Sequence, residues 1–136
     1  MKKKKTRNER PKLSDLERQV MQIIWSLGKA NSRQIKEVLD PERPLALNTI
    51  ITVLKRLQTK DYIKEIPRIG RLKVYKPKVP REQVARRSLQ SLLNGLYRGS
   101  AASMVAQLLK TENIKEDELE EIRRMLDENM DSRKKK

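Results

Sequence analysis

Residues 45–60, LALNTIITVLKRLQTK, decide the fold that we expect for this chain. The apolar residues of this segment recur at the spacing of one helical face: Leu47, Ile50, Leu54 and Leu57. The opposite face carries its polar residues: Asn48, Thr49, Thr52, Lys55, Arg56 and Thr59. A solvated helix usually mixes charges of both signs, but this polar face has two cations and no carboxylate. The pattern predicts a helix with one face in a core and the other against a polyanion.

Two helices are predicted before this segment. Ser14 and Glu17 have the spacing of a capping box at the start of the first helix, and Gly28 is the expected stop. Its predicted buried stripe is Leu16, Val20, Ile23, Ile24 and Leu27. The second helix is capped at Asn31 or Ser32 and ends near Pro41, with an inward face predicted at Ile35, Val38 and Leu39.

Two short strands are predicted after it, at residues 62–66 and 71–75, with Gly70 in the turn between them. Three helices with short connections form a helix-turn-helix, whose last helix lies in the major groove of DNA. A basic hairpin directly behind that helix is typical of a wing. The hairpin loop carries three cations, Arg68, Arg71 and Lys73.

Three amphipathic helices are predicted from Pro80 onward. Their apolar faces are predicted to form a dimer interface: Leu89, Leu92, Leu93, Leu96, Met104, Val105, Leu108, Leu109, Leu119, Ile122 and Leu126. About 50 residues cannot bury all of these side chains alone, because so small a unit is marginal without a partner. Dimerisation would supply the missing surface. The alternative is a self-contained cap packed on the winged helix.

Charge is unevenly distributed along the 136 residues, whose net charge is +15. Residues 1–12 carry +6, residues 13–80 carry +7, residues 81–132 carry −2 and the last four residues carry +4. A basic first half indicates an anionic partner, nucleic acid or an anionic membrane surface. Direct membrane binding is disfavoured because the basic stretch MKKKKTRNER has no apolar side chain suited to insertion beside its cations.

Composition excludes most other classes of function. The chain has no Cys and no His, so thiolate chemistry, most zinc sites and the commonest general base are absent. The carboxylates cluster in the run EDELEE, which is typical of a solvated helix face, and no Gly-rich phosphate loop is present. We expect no enzyme, no metal and no cofactor. Without an apolar run of about 20 residues or a signal sequence, we expect a cytoplasmic protein.

The sequence resembles the penicillinase-repressor family, BlaI and MecI with their copper-responsive CopY relatives. The resemblance rests on LSDLERQVMQIIWSLG at 13–28, NTIITVLKRLQTKDYI at 48–63, GRLKVYKP at 70–77 and the segment 99–128. It implies a mainly α fold with a small β-hairpin, a winged helix-turn-helix followed by a helical dimerisation lobe. The expected divisions are a disordered basic arm at 1–12, a DNA-binding domain at 13–79, a dimerisation domain at 80–130 and a basic tail at 131–136.

The helix-turn-helix plan assigns a role to each candidate side chain. Asn48, Thr49 and Thr52 are expected at base edges, with Ile51 able to meet a thymine methyl. Phosphates are the expected partners of the cations, Lys55, Arg56, Arg68, Arg71 and Lys73. The alternative for Arg56 is an ion pair inside the domain, and the alternative for Thr49 is capping or packing. The basic arm could touch phosphate or the minor groove, or serve only as a solubilising tail.

The expected function is a sequence-specific transcriptional repressor that binds a pseudo-palindromic operator in double-stranded DNA as a homodimer. The alternative is a nonspecific DNA-coating or architectural protein. The resemblance also suggests a membrane sensor peptidase as a partner, because family members released by proteolysis are cut at an Asn-Phe bond. The corresponding residues here are Gln107 and Leu108, which do not match that pair. The Cys-x-Cys pattern of the copper-responsive relatives is absent.

Overall fold

A computed structural model describes residues 10–67 and 70–134 of the chain. Its elements are α1 (Asp15–Leu27), β1 (Ala30–Asn31), α2 (Ser32–Leu39), α3 (Leu47–Thr59), β2 (Ile63–Ile66), β3 (Val74–Pro77), α4 (Arg81–Leu96), α5 (Ala101–Thr111) and α6 (Glu116–Lys134). They form two compact units that meet in sequence between Leu89 and Gln90, inside α4. None of the described helices is both long and apolar enough to cross a membrane.

The predicted capping box begins α1. The Glu17 amide donates to Ser14 Oγ at 3.2 Å, and the Ser14 amide donates to Glu17 Oε1 at 2.7 Å. Gly28 ends the helix with a φ of 83°, which a residue without Cβ adopts readily. The predicted stripe is wrong at its last residue, since Leu27 is exposed and Met21 is buried instead.

The first unit has one aliphatic core between α1, α2, α3 and the sheet. Its fully buried side chains include Val20, Met21, Ile24, Ile35, Ile50, Leu54, Leu57 and Ile63. In α2, a second capping box joins Asn31 and Gln34, and the helix packs through Ile35 and Leu39. Val38, predicted to face inward, is exposed.

The sheet has three antiparallel strands in the order β1-β3-β2, rather than the two strands predicted. β2 lies where it was predicted, but β3 begins at Val74 because the register pairs Ile66 with Val74. Of the residues between β2 and β3, 67 and 70–73 are described, and they lie outside the strands. β1 pairs Ala30 with Tyr75 and Asn31 with Val74, and its two residues are too few to show an alternating pattern. The order α1-β1-α2-α3-β2-β3 is that of a winged helix.

Of the predicted disordered arm, residues 1–12, the structure describes only the last three residues. Residues 1–9 lie outside the described part of the chain, and Arg10, Pro11 and Lys12 are hydrogen-bonded to side chains farther along the first unit. All three backbone carbonyls accept hydrogen bonds, from the Arg87 guanidinium at 2.6 Å, the Tyr62 hydroxyl at 2.6 Å and the Lys60 amine at 2.9 Å. Distant side chains, rather than regular secondary structure, hold the backbone of these residues. A periodic sequence pattern is therefore neither needed nor present.

The second unit begins within α4, and the helices predicted there are confirmed with small differences. Gly95 lies inside α4, and the break falls at residues 97–99, where Arg98 and Gly99 have positive φ. Ser100 caps α5, and its hydroxyl accepts from the Ser103 amide at 3.1 Å. α6 continues to Lys134 and therefore includes residues 131–134 of the segment predicted as a basic tail. No described residue of α4, α5 or α6 is buried.

Candidate nucleic-acid interface

The turn between α2 and α3 is held by a lysine. The Lys36 amine donates to Asp40 Oδ1 at 3.0 Å and to the Leu45 carbonyl at 2.9 Å, so it joins the end of α2 to the residues that lead into α3. Arg43, inside the turn, donates to Gln19 Oε1 of α1 at 2.9 Å. These bonds join the turn before α3 to α2 and α1, and none of these side chains was predicted to matter.

The polar face of α3 is as predicted, but on the apolar side Leu47 is only half-buried and Val53, which was not predicted, is buried. Ile50, Val53, Leu54 and Leu57 are buried, and the six polar residues of the opposite face are all exposed: Asn48, Thr49, Thr52, Lys55, Arg56 and Thr59. Ile51 is half-buried at the margin between the faces. α3 contains no acidic residue. The exposed face therefore offers amide, hydroxyl and cationic groups to a partner.

The cations of this face are available for a partner. Neither Lys55 nor Arg56 forms an ion pair with a residue in 10–67 or 70–134. The described residues thus do not support the alternative in which Arg56 pairs inside the domain. Two hydroxyls on the same face are bonded to their own helix: Thr52 Oγ donates to the Asn48 carbonyl and Thr59 Oγ donates to the Lys55 carbonyl, both at 2.9 Å.

The wing is the loop between β2 and β3. It carries Arg71, which is exposed, and Lys73, whose amine lies 3.7 Å from Glu65 Oε1 in β2. Arg68, predicted to contact phosphate with them, lies outside the described residues. On the strands themselves, Lys64 and Lys76 are exposed and directly opposite each other in the register. Sequence reasoning missed this cross-strand pair because β3 was placed three residues too early.

A buried ion pair holds the last turn of α3 to the start of α1. The Lys60 amine donates to Glu17 Oε1 at 2.7 Å, and the Glu17 side chain is only 2% exposed. Burial would raise the pKa of Glu17, but the bonds from Lys60 and Ser14, with the lysine charge, outweigh it and hold the pKa below 4.5. Glu17 Oε2 has no hydrogen-bond partner among the described residues. The pair spans 43 residues of sequence, so only the capping role of Glu17 was predictable.

The predicted dimer residues lie on α4, α5 and α6, and most of them are exposed. Eight of the eleven are exposed, and Leu93, Met104 and Ile122 are half-buried. Gln107 and Leu108, the predicted processing positions, are both exposed within α5. The bond between them lies inside a regular helix, and the Gln107 carbonyl also accepts from the Thr111 hydroxyl at 2.9 Å. Cleavage there would require this part of α5 to unwind first.

The chain matches the penicillinase repressor family over residues 13–128, which include both units. It belongs to that family. The penicillinase repressor of Bacillus licheniformis is 29% identical over 124 residues, 91% of this chain and 96% of that protein. The methicillin resistance regulatory protein MecI of Staphylococcus aureus strain N315 is 27% identical over 119 residues, 88% and 96% of the two chains.

Solved structures agree with the fold of this family member. A mutant MarR from Escherichia coli, crystallised with operator DNA, aligns with a TM-score of 0.52 over 85% of this chain and 74% of that one. The two chains are 17% identical, so the likeness shows a shared fold alone. The predicted fold class, a mainly α winged helix-turn-helix with additional helices, is confirmed.

Proposed function

We propose that this chain is a sequence-specific transcriptional repressor that binds double-stranded operator DNA as a homodimer. The observation that carries the proposal is the outer face of α3, whose six polar side chains are all exposed on an acid-free helix. α3 is the last helix of a helix-turn-helix, the element that enters the major groove in proteins of this plan. The names of the relatives, a penicillinase repressor and a methicillin resistance regulatory protein, support the same function.

The side chains of α3 and the wing divide into two groups. Asn48, Thr49 and Thr52 lie on the first two turns of α3 and are assigned to base edges, with Ile51 against a thymine methyl. The cations are assigned to phosphates, where they fix the register without selecting a sequence: Lys55, Arg56, Arg68, Arg71 and Lys73. To reach a phosphate, the Lys73 amine would have to break its ion pair with Glu65 Oε1, 3.7 Å away. Breaking this pair costs little free energy because both side chains are exposed.

Two copies are needed to select one site in a genome. Each good bidentate contact discriminates between bases by only about 1–3 kcal/mol, so a single helix is not selective enough. The dimerisation domain, residues 80–130, would join two DNA-binding domains, residues 13–79, through its exposed apolar surface. A two-fold dimer predicts a pseudo-palindromic operator with half-sites about one helical turn, or a multiple of it, apart.

The test is selection of bound fragments from genomic DNA at about 0.15 M salt with excess competitor, followed by sequencing. We expect enrichment of a two-fold symmetric site by the full chain. Asn48→Ala should lose the preference at one base pair of each half-site, whereas Asn113→Ala, an exposed asparagine between α5 and α6, should select the wild-type site. Binding without any enriched site would contradict the proposal and favour the DNA-coating alternative.

A further inference from the structure

Thr52 lies in the middle of the proposed base-contacting face, one helical turn after Asn48. Its side chain is exposed, and its hydroxyl donates to the Asn48 carbonyl at 2.9 Å. A threonine hydroxyl has one hydrogen and two lone pairs. Because its hydrogen is already bonded to the helix backbone, the lone pairs are what remain for a partner.

This bond belongs to the helix itself. A threonine inside a helix has two common side-chain conformations, and one of them places Oγ against the carbonyl one turn earlier, as in Thr52 and in Thr59, whose hydroxyl bonds the Lys55 carbonyl at 2.9 Å. To donate to DNA instead, the Thr52 hydroxyl would have to give up this bond. By contrast, Asn48 carries both donors and an acceptor, and the Thr49 hydroxyl makes no hydrogen bond to a described residue. Neither of those two side chains is restricted in the same way.

The major groove contains one kind of group that an acceptor can bind. Adenine and cytosine each present an exocyclic amine there, N6 or N4, whereas guanine and thymine present the acceptors O6 and O4 at the corresponding positions. An oxygen that can only accept bonds to the amine and is repelled by the carbonyl oxygen. Resting on the proposed function, we infer that Thr52 acts as a hydrogen-bond acceptor that selects an amino base, adenine or cytosine, over a keto base on one strand of each half-site.

The test is selection from a randomised operator library with the full chain and three variants. Wild type should enrich adenine or cytosine over guanine and thymine at one position of each half-site. Thr52→Val has nearly the same shape but no acceptor and should lose that preference there alone, while Thr52→Ser should retain it. Thr59→Val removes an identically bonded hydroxyl from the last residue of α3, which is assigned to neither a base nor a phosphate, and is the matched control, with no change in the selected site.

Base analogues that lack the exocyclic amine then test the bond between the Thr52 hydroxyl and the selected base directly. If adenine is selected, replacing it by purine, which lacks the N6 amine, should weaken wild-type binding by about 3- to 10-fold. If cytosine is selected, replacing it by 2-pyrimidinone, which lacks the N4 amine, should weaken wild-type binding by a similar factor. Thr52→Val should bind the natural and analogue operators equally well. Since the analogue measurement uses the wild-type protein, unchanged binding to the analogue would overturn the inference even where a variant folds poorly, and the comparison with Thr52→Val assigns any loss to Thr52.

Failure of this inference differs from failure of the proposed function. If wild type selects no site at all, the proposed function is wrong. If wild type selects a site but guanine or thymine is preferred where Thr52→Val loses preference, the hydroxyl donates and the inference is overturned. The same conclusion follows if Thr52→Val and wild type select identical sites, or if the analogues bind wild type as tightly as the natural bases.

Discussion

Glu17 links the start of α1 to the end of the proposed recognition helix, α3. One carboxylate oxygen accepts from the Ser14 amide at 2.7 Å and from the Lys60 amine at 2.7 Å. Glutamine can replace glutamate in a capping box, so Glu17→Gln keeps the cap and removes the charge. We expect the free energy of unfolding to fall by about 1–3 kcal/mol in a denaturant titration, because a charge-assisted bond is lost at a buried site.

The same substitution should change how stability depends on pH. The pKa of Glu17 is below 4.5 in the folded protein, because the Lys60 and Ser14 bonds outweigh the effect of burial. A lowered pKa means that the carboxylate stabilises the fold fully above about pH 4.5 and that this contribution is lost as the pH falls through the folded value. Thermal unfolding between pH 3 and 7 should show a smaller loss of stability on acidification in Glu17→Gln than in wild type.

An exposed pair provides the control for Glu17. On the surface of α4, Glu82 Oε1 lies 3.8 Å from a guanidinium nitrogen of Arg86, and both side chains are mostly exposed. Glu82→Gln should change stability by less than about 0.5 kcal/mol, because surface ion pairs of this kind contribute little. Equal losses in Glu17→Gln and Glu82→Gln would show that the buried contact between α1 and α3 is not what stabilises the domain.

Single residues also show what the sequence could and could not predict about the site. The faces of α3 follow from helical periodicity, so the exposed polar set and three of the four buried residues were predicted, whereas Val53 was missed. The restraints on α3 come from Lys36, Lys60 and Arg43, whose partners are loop carbonyls or side chains of other elements. A local pattern carries no signal for such contacts, because they depend on which elements the fold brings together.

The hairpin formed by β2 and β3 contains a pairing that works against its stability. Lys64 and Lys76 are directly opposite each other and exposed, and like charges in that position destabilise a strand pair. Lys64→Glu should therefore raise the free energy of unfolding by about 0.2–1 kcal/mol, measured by denaturant titration at low salt. Lys64→Gln removes the repulsion without adding attraction and should give a smaller gain.

Salt distinguishes this electrostatic cause from a change in strand propensity. At 1 M salt the charges are screened within about 3 Å. The gain in the free energy of unfolding of Lys64→Glu over wild type should therefore largely disappear. A gain that persists unchanged at 1 M salt would contradict the cross-strand explanation.

Residues 10–12 are a hydrogen-bonded part of the first unit. The Arg10 side chain is almost fully buried, and its Nε donates to the Asp61 carbonyl at 2.6 Å. We expect Arg10→Ala to lower the free energy of unfolding by about 1–3 kcal/mol, because a charge-assisted bond at a buried group is removed. Denaturant titration of the purified variant measures the effect.

Deleting residues 2–9 is the matched comparison for Arg10→Ala. These residues include five of the cations near the start of the chain and none of the bonded carbonyls of 10–12. The deletion should leave the free energy of unfolding unchanged and lower the salt dependence of DNA binding. A loss of stability as large as that of Arg10→Ala would contradict this division between Arg10 and the residues before it.

The elements themselves were predictable to different degrees. α1 and α2 begin with side-chain caps and have strong apolar periodicity, so their starts were predicted correctly. The sheet was predicted less well, because β1 has two residues and β3 is positioned by its pairing with β1 and β2. Strand register is a property of the assembled sheet, whereas a cap and a helical period are local.

At the scale of the whole molecule, the two units differ in how they bury apolar surface. The first has a closed core, while no described residue of the second, which contains the end of α4 with α5 and α6, is buried. Leu96, on α4, is 74% exposed, so replacing it should cost little within one copy of the chain. Under the proposed function, this surface is covered by the same surface of a second copy, where a charge would be buried without a partner.

Leu96→Asp should therefore separate folding from dimerisation. We expect sedimentation equilibrium to show monomer at concentrations where wild type is dimeric, with a near-wild-type circular dichroism spectrum. Affinity for a complete operator should fall towards the affinity for a single half-site, because the second contact is no longer linked to the first. Asn94→Asp adds the same charge to an exposed polar position of α4 and should stay dimeric. A dimeric Leu96→Asp with unchanged affinity for the complete operator would exclude this part of α4 from the interface.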